Sequence, residues 1–273
     1  MKTISHKDLK LTYKVYGAGK SVYLAFHGHG KSHADFESFA KELNATIYSF
    51  DLYGHGASQI PLERLHEFPL EKIELKKMME LFFEQEQLTG FSLLGYSLGG
   101  KIALNVFLLF AERTDGIILL APDGLKNITW YGKTSQKKWL RLWYKKIVER
   151  PKFFFSLVKT ARFLKLIPNN LYRFLDYQFA SRERRFAAFQ TWGFYRNVFP
   201  SAQKLQETFL EHPTPIKVIV GRFDSVIKPE FAYRFKESYL PEMEVVELEM
   251  GHDFFKEKNL QFVQKELQKT PYL

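Results

Sequence analysis

Cysteine is absent from the 273 residues. Disulfides and thiolate metal sites are therefore excluded, and a reducing compartment is the simpler setting. No uncharged apolar run approaches the roughly 20 residues that cross a bilayer as a helix. Met1 to Asp8 has neither an apolar core nor a small-residue cleavage site, so no secretion signal is expected and a cytoplasmic location follows. Internal repeats and low-complexity segments are missing as well. Acidic residues are scarce in one stretch. Gly124 to Glu211 holds 18 Lys and Arg against 5 Asp and Glu, a local charge of +13 in a chain of net +10. All four tryptophans (Trp130, Trp139, Trp143 and Trp192) fall in that stretch. Such a segment is either a solvated basic surface over an aromatic core or a module with its own binding task. It contains no nucleic-acid-binding motif, so no nucleic-acid partner is expected.

Two periodicities alternate in the rest. Leu9 to Tyr16 alternates like a half-exposed strand, whereas Val22–Phe26, Thr46–Phe50, Phe91–Leu94, Gly116–Ala121 and Ile216–Val220 are continuous apolar runs. Met243–Leu248 is a further strand. Phe36–Leu43 and Leu70–Leu88 read as helices between them, the second by the spacing of Leu70, Ile73, Met78, Leu81 and Phe82. Strands alternating with helices predict an α/β fold, a mostly parallel sheet covered on both faces, with ligands at the carboxyl ends of the strands. Four helices are expected in the basic stretch: Ser135–Arg150, Pro151–Leu166, Asn169–Ala180 and Arg182–Arg196. We therefore expect a core of residues 1–122 and 212–273 with a helical insert at 123–211.

Gly95-Tyr96-Ser97-Leu98-Gly99-Gly100 follows the apolar run Phe91–Leu94 and fits G-x-S-x-G at a strand-to-helix junction. In a nucleophile elbow the serine occupies a sharp turn with its hydroxyl exposed, and the glycines allow close approach of neighbouring backbone. The plain alternative is a turn with a bystander serine. Gly95 to Lys101 also fits G-x-x-x-x-G-K, but a phosphate-binding loop needs Ser or Thr next and Ile102 stands there.

Polar groups gather at the other strand ends: His27-Gly28-His29-Gly30, Asp51 to Ser58, Asp123, Gly221-Arg222-Phe223-Asp224 and Gly251-His252. The order Ser97, Asp224, His252 is that of a hydrolase triad on this architecture. Asp123 after the sixth strand is an alternative acid, although Pro122-Asp123-Gly124 is also ordinary turn chemistry. Asp51 and His55 are expected to order their loop. His27, His29 and His33 lack the spacing of a helical zinc motif and have no matching ligand set downstream, so neither metal nor cofactor is expected.

Taken together, these motifs give the chain a resemblance to the α/β-hydrolase family over nearly its whole length. His27-Gly28, the D-x-x-G-H-G-x-S match at Asp51–Ser58, the elbow, Gly221–Asp224 and Gly251-His252 fall in family order. The resemblance implies Ser97 as nucleophile, His252 as base and then acid, and Asp224 as the group orienting the histidine. Backbone N–H groups of Leu98 and His29 are the implied oxyanion donors. The insert takes the place of the family's helical cap, which helps form the substrate pocket. The expected function is hydrolysis of an ester or thioester with an apolar acyl part. A carbon–carbon bond hydrolase on the same triad and a non-catalytic ligand-binding protein on this fold are the alternatives. The expected partner is a small molecule, with anionic substrates and peripheral membrane contact left open by the basic insert.

Overall fold

The apolar runs become the interior strands of one eight-stranded sheet in the computed structural model, which describes residues 1–61, 64, 67–125, 137–167, 172, 176 and 180–270. The strands are β1 (Lys2–His6), β2 (Leu9–Tyr16), β3 (Ser21–Phe26), β4 (Ala45–Asp51), β5 (Phe91–Tyr96), β6 (Thr114–Leu120), β7 (Ile216–Gly221) and β8 (Glu244–Leu248). Their spatial order is β1-β2-β4-β3-β5-β6-β7-β8. β2 pairs antiparallel with β1 and β4, and all later pairs are parallel. β1 has no counterpart among the expected strands. Ile4 is its one buried side chain, so its hydrophobic pattern is too thin to stand out, and register with β2 defines it instead.

The described helices are α1 (Glu37–Glu42), α2 (Lys72–Glu86), α3 (Leu98–Leu109), α4 (Lys138–Glu149), α5 (Pro151–Phe163), α6 (Arg182–Phe194), α7 (Ala202–Glu211), α8 (Glu230–Tyr239) and α9 (Glu257–Gln268). The helix expected at Asn169–Ala180 lies outside the described residues except for Tyr172, Asp176 and Ala180. Side chains alternate across the strands, so Ala25 and Phe26 face opposite sides of the sheet. On one side Tyr23, Ala25, Leu94, Ile118, Leu120 and Ile219 meet Phe39 of α1 and Val263 and Leu267 of α9. On the other, Phe26 stacks on Phe50, which meets Phe82 of α2 edge-on. At about 25 cal/mol per Å² of apolar area, these two aromatic-rich layers dominate the stabilisation of the sheet.

The chain divides into two compact units. One comprises Met1–Gln59, Leu70–Asn127 and Asn197–Leu273, and the other Ile60–Pro69 and Ile128–Arg196. The insert expected at 123–211 overlaps the second unit, whose longer segment runs from Ile128 to Arg196. Helix α7 belongs with the sheet because its buried Leu205 and Phe209 supply an apolar face, and the Phe209 ring lies 4.4 Å from that of Phe107 on α3. In the smaller unit, Tyr144 of α4 packs on Phe189 and stacks on Trp192 of α6.

Candidate active site

β5 ends at Tyr96, and Ser97 takes φ 50° and ψ −115° before α3 begins at Leu98. A non-glycine residue with positive φ is costly, and here it turns the chain from strand to helix within one residue. Three backbone hydrogen bonds hold the turn. Ser97 N–H donates to Leu120 O (2.9 Å), and Ser97 O accepts from Gly100 (2.9 Å) and Asp123 (2.8 Å). Gly99 is required by crowding, since a Cβ there would stand 1.8 Å from Phe26 O. A Cβ on Gly28 would meet the Tyr96 ring at 2.7 Å and Ser97 Cβ at 3.2 Å, so glycine lets the loop after β3 lie against the serine.

The structure brings Ser97, His252 and Asp224 together. His252 Nε2 lies 3.1 Å from Ser97 Oγ, and its Nδ1 lies 2.6 Å from Asp224 Oδ2. Asp224 is buried, and its Oδ1 accepts from Val226 N–H (2.7 Å) and Ile227 N–H (2.9 Å). Asp123 is placed differently. Its Oδ2 lies 3.9 Å from Nζ of the buried Lys101, while Asp224 occupies the Nδ1 side of His252. Burial lowers the Lys101 pKa and the Asp123 charge opposes that shift. Lys101 also sits over the Phe199 ring at 4.2 Å. This pair is a product of burial that sequence spacing does not report.

The loop after β3 is tied on several sides. Lys31 N–H closes a turn on Gly28 O (3.2 Å), and Gly30 N–H donates to His55 Nε2 (3.0 Å). His27 uses both ring nitrogens: Nε2 accepts from Leu52 N–H (3.0 Å) and Nδ1 donates to Gly28 O (2.7 Å). His33 Nδ1 meets Tyr16 Oη at 2.7 Å. These histidines therefore fix loops. Among the described residues, no group of three or more His, Cys, Asp or Glu is placed to hold a metal ion. Burial pushes His27 down to about 3 and His29 down to about 4, so both rings are neutral at pH 7. Asp51 accepts from His33 N–H through Oδ1 (2.9 Å) and from Ala57 N–H through Oδ2 (3.3 Å), ordering the loop after β4.

His29 follows Gly28 in that tied loop. Leu98 opens α3, where an N–H has no carbonyl of its own helix to meet. Leu98 directly follows Ser97, and His29 is the chain neighbour of Gly28, which lies against Ser97. Two contacts of the loop that carries His252 were not anticipated. Tyr96 Oη donates to His252 O (2.8 Å), and Lys31 Nζ meets Asp253 Oδ1 at 3.1 Å, tying the histidine loop to β5 and to the loop after β3. Tyr96 sits at a variable position of G-x-S-x-G, so the motif carries no signal for it.

A family model described as alpha/beta hydrolase fold matches residues 24–259. A Mycoplasma pneumoniae protein named "Putative esterase/lipase 3" is 29% identical over 141 residues, 49% of each chain. The pimeloyl-[acyl-carrier protein] methyl ester esterase of Proteus mirabilis is 32% identical over 116 residues, covering 42% of this chain and 41% of that one. The chain spans about half the length, or less, of these curated relatives. A thermophilic esterase from Thermogutta terrifontis superposes with a TM-score of 0.65 at 18% identity, over 96% of this chain and 94% of its own, a likeness of fold alone. The family match covers most of the chain and agrees with the strand order and the elbow, and the protein accordingly belongs to the α/β hydrolase fold family.

Proposed function

We propose that the protein is a serine hydrolase that cleaves an ester or thioester with an apolar acyl part. In this reading Ser97 Oγ attacks the acyl carbon while its proton passes to His252 Nε2. The tetrahedral oxyanion is met by the N–H groups of Leu98 and His29. Its collapse breaks the bond to the leaving alcohol or thiol, which takes the proton from His252 and leaves an acyl-enzyme on Ser97. Water, deprotonated by His252, then attacks the acyl carbon; the acyl–Oγ bond breaks, the acid leaves, and Ser97 Oγ takes the proton back from His252. Asp224 holds Nδ1–H and stabilises the imidazolium formed in each half.

The observation that carries the proposal is the continuous contact from Ser97 Oγ through His252 to Asp224, at 3.1 and 2.6 Å, with the serine on a strained elbow. The names of the relatives, an esterase/lipase and a methyl ester esterase, support the ester. The apolar acyl preference rests on the aromatic composition of the insert. Treatment with a fluorophosphonate followed by peptide mass spectrometry should place the adduct on Ser97. Ser97→Ala should lose several orders of magnitude in kcat on a panel of esters and thioesters of varied chain length. An adduct elsewhere, or full activity in Ser97→Ala, overturns the proposal.

A further inference from the structure

Helix α4 presents two unlike faces. Tyr144, Ile147 and Val148, spaced three and four residues apart, turn inward, with Tyr144 packed on α6. Trp139, Leu142 and Trp143 repeat the same spacing on the outside, and Lys146 and Arg150 continue that stripe. Helices normally bury such an apolar stripe, yet Trp139 is 64% exposed. Helix α5 extends the surface. The Trp143 ring lies 6.5 Å from that of Phe154, and α5 exposes Phe153 (79%), Leu157 and Phe163 (86%).

Charge accompanies these apolar groups. Residues 137–167 hold ten Lys and Arg and a single acid, Glu149. Lys146, Arg150, Lys152 and Lys159 have no ion pair among the described residues. Exposed tryptophan, phenylalanine and leucine beside unpaired cations are the two halves of an interfacial helix: an apolar side for the acyl boundary and a basic side for anionic headgroups. A second copy of this chain is a poor occupant, since it would set one strongly basic surface against another. Nucleic acid would meet the cations but leave Leu142, Leu157 and Phe163 in water.

We propose that the outer face of α4 and α5 docks the protein on an anionic lipid bilayer, with Trp139, Trp143 and Phe153 entering the headgroup boundary. Docking needs no chemistry at Ser97 and stands or falls apart from the proposed hydrolysis. The test uses the full-length Ser97→Ala protein, so that lipid turnover cannot alter the vesicles. Flotation is compared on phosphatidylcholine vesicles with and without phosphatidylglycerol. The expected result is at least about tenfold stronger partitioning on the anionic vesicles, falling as salt rises, with a blue shift of tryptophan emission.

Two variant sets separate the contributions. Trp139→Ser with Trp143→Ser should abolish the blue shift and lower partitioning about tenfold or more. Lys146→Gln, Arg150→Gln, Lys152→Gln and Lys159→Gln together should remove the preference for anionic lipid. All are exposed sites, and an unchanged thermal midpoint shows that each variant is folded. Absent binding, equal binding to both vesicle types, or partitioning indifferent to both variant sets overturns the proposal. So does a stable dimer that dissociates in the tryptophan variant, or a tighter complex with DNA than with anionic vesicles.

Discussion

Replacing Asp224 by asparagine alters one terminal atom of a side chain whose two oxygens have separate duties. Oδ1 accepts from the N–H groups of Val226 and Ile227, and Oδ2 faces His252 Nδ1. In Asp224→Asn the amide oxygen keeps the two backbone donors, because turning it round would set an NH₂ against two N–H groups. The NH₂ then points at His252 Nδ1, which must accept rather than donate. The imidazole proton moves to Nε2, so the ring 3.1 Å from Ser97 Oγ can no longer take the serine proton. A tautomer fault of this kind costs roughly 10⁴ in kcat. That is about 5 kcal/mol of activation free energy at about 1.36 kcal/mol per tenfold. Stability should change little, since both backbone donors stay satisfied. Asp123→Asn is the matched control with the opposite pattern. It leaves the buried Lys101 without its countercharge, so it should lower stability by about 3–5 kcal/mol and spare turnover per folded molecule. The assay is kcat/KM on an activated ester, normalised to the folded fraction from circular dichroism. If Asp224→Asn keeps more than a tenth of wild-type activity, or Asp123→Asn loses more per folded molecule, the assignment of the acid is refuted.

Tyr96→Phe removes the hydroxyl that donates to His252 O, and should lower kcat about three- to tenfold with KM nearly constant, at about 1–2 kcal/mol of stability. An unchanged kcat would leave Tyr96 a packing residue only. A dependence of stability on pH follows from the buried imidazoles. His27 and His29 titrate at about 3 and about 4 in the folded protein because burial disfavours the cation, against 6.5 for the unfolded chain. The unfolded state therefore binds more protons in that interval. Stability is complete above about pH 6.5 and should fall toward pH 4, by up to about 2.7 kcal/mol per pH unit near pH 5 if two protons are taken up. Urea midpoints at pH 7 and pH 5 measure it, and equal midpoints contradict neutral burial of the rings.

The sheet was legible because strands buried on both faces must be apolar throughout, and runs such as Val22–Phe26 and Ile216–Val220 have no other plausible use. Strand β1 was not legible, because a single buried Ile4 leaves no pattern and the partner strand supplies the information. Ser97, Asp224 and His252 could be found from their places after β5, β7 and β8. The choice between Asp224 and Asp123 could not, since both follow strands. The structure sets Asp224 against His252 and Asp123 against the buried Lys101, four residues past Ser97 in α3, and neither neighbour shows in the spacing. The division between the two compact units after Arg196 was not legible for a similar reason. The residues of α7 look like those of the preceding helices, and it is the burial of Leu205 and the contact of Phe209 with Phe107 that place it with the sheet.

The elbow shows why the motif and its surroundings cannot be separated. Positive φ at Ser97 costs on the order of 1–3 kcal/mol, and the local sequence does nothing to repay it. Long-range contacts oppose the relaxation. Relaxing φ would break Ser97 N–H to Leu120 O and Asp123 N–H to Ser97 O, both buried in the seam between β5 and β6. Each such loss costs about 1–3 kcal/mol, so the two together are enough to offset the strain. The seam is in turn set by the parallel register of Leu94 with Ile118 and Tyr96 with Leu120. Lys101 and Asp123 brace it from the helix side, and the glycines let β3 close in from the other. A serine between two glycines elsewhere in a chain would relax, because nothing would hold these bonds in place. The reactive geometry is thus a property of the sheet, and G-x-S-x-G is the part of it that a sequence can display.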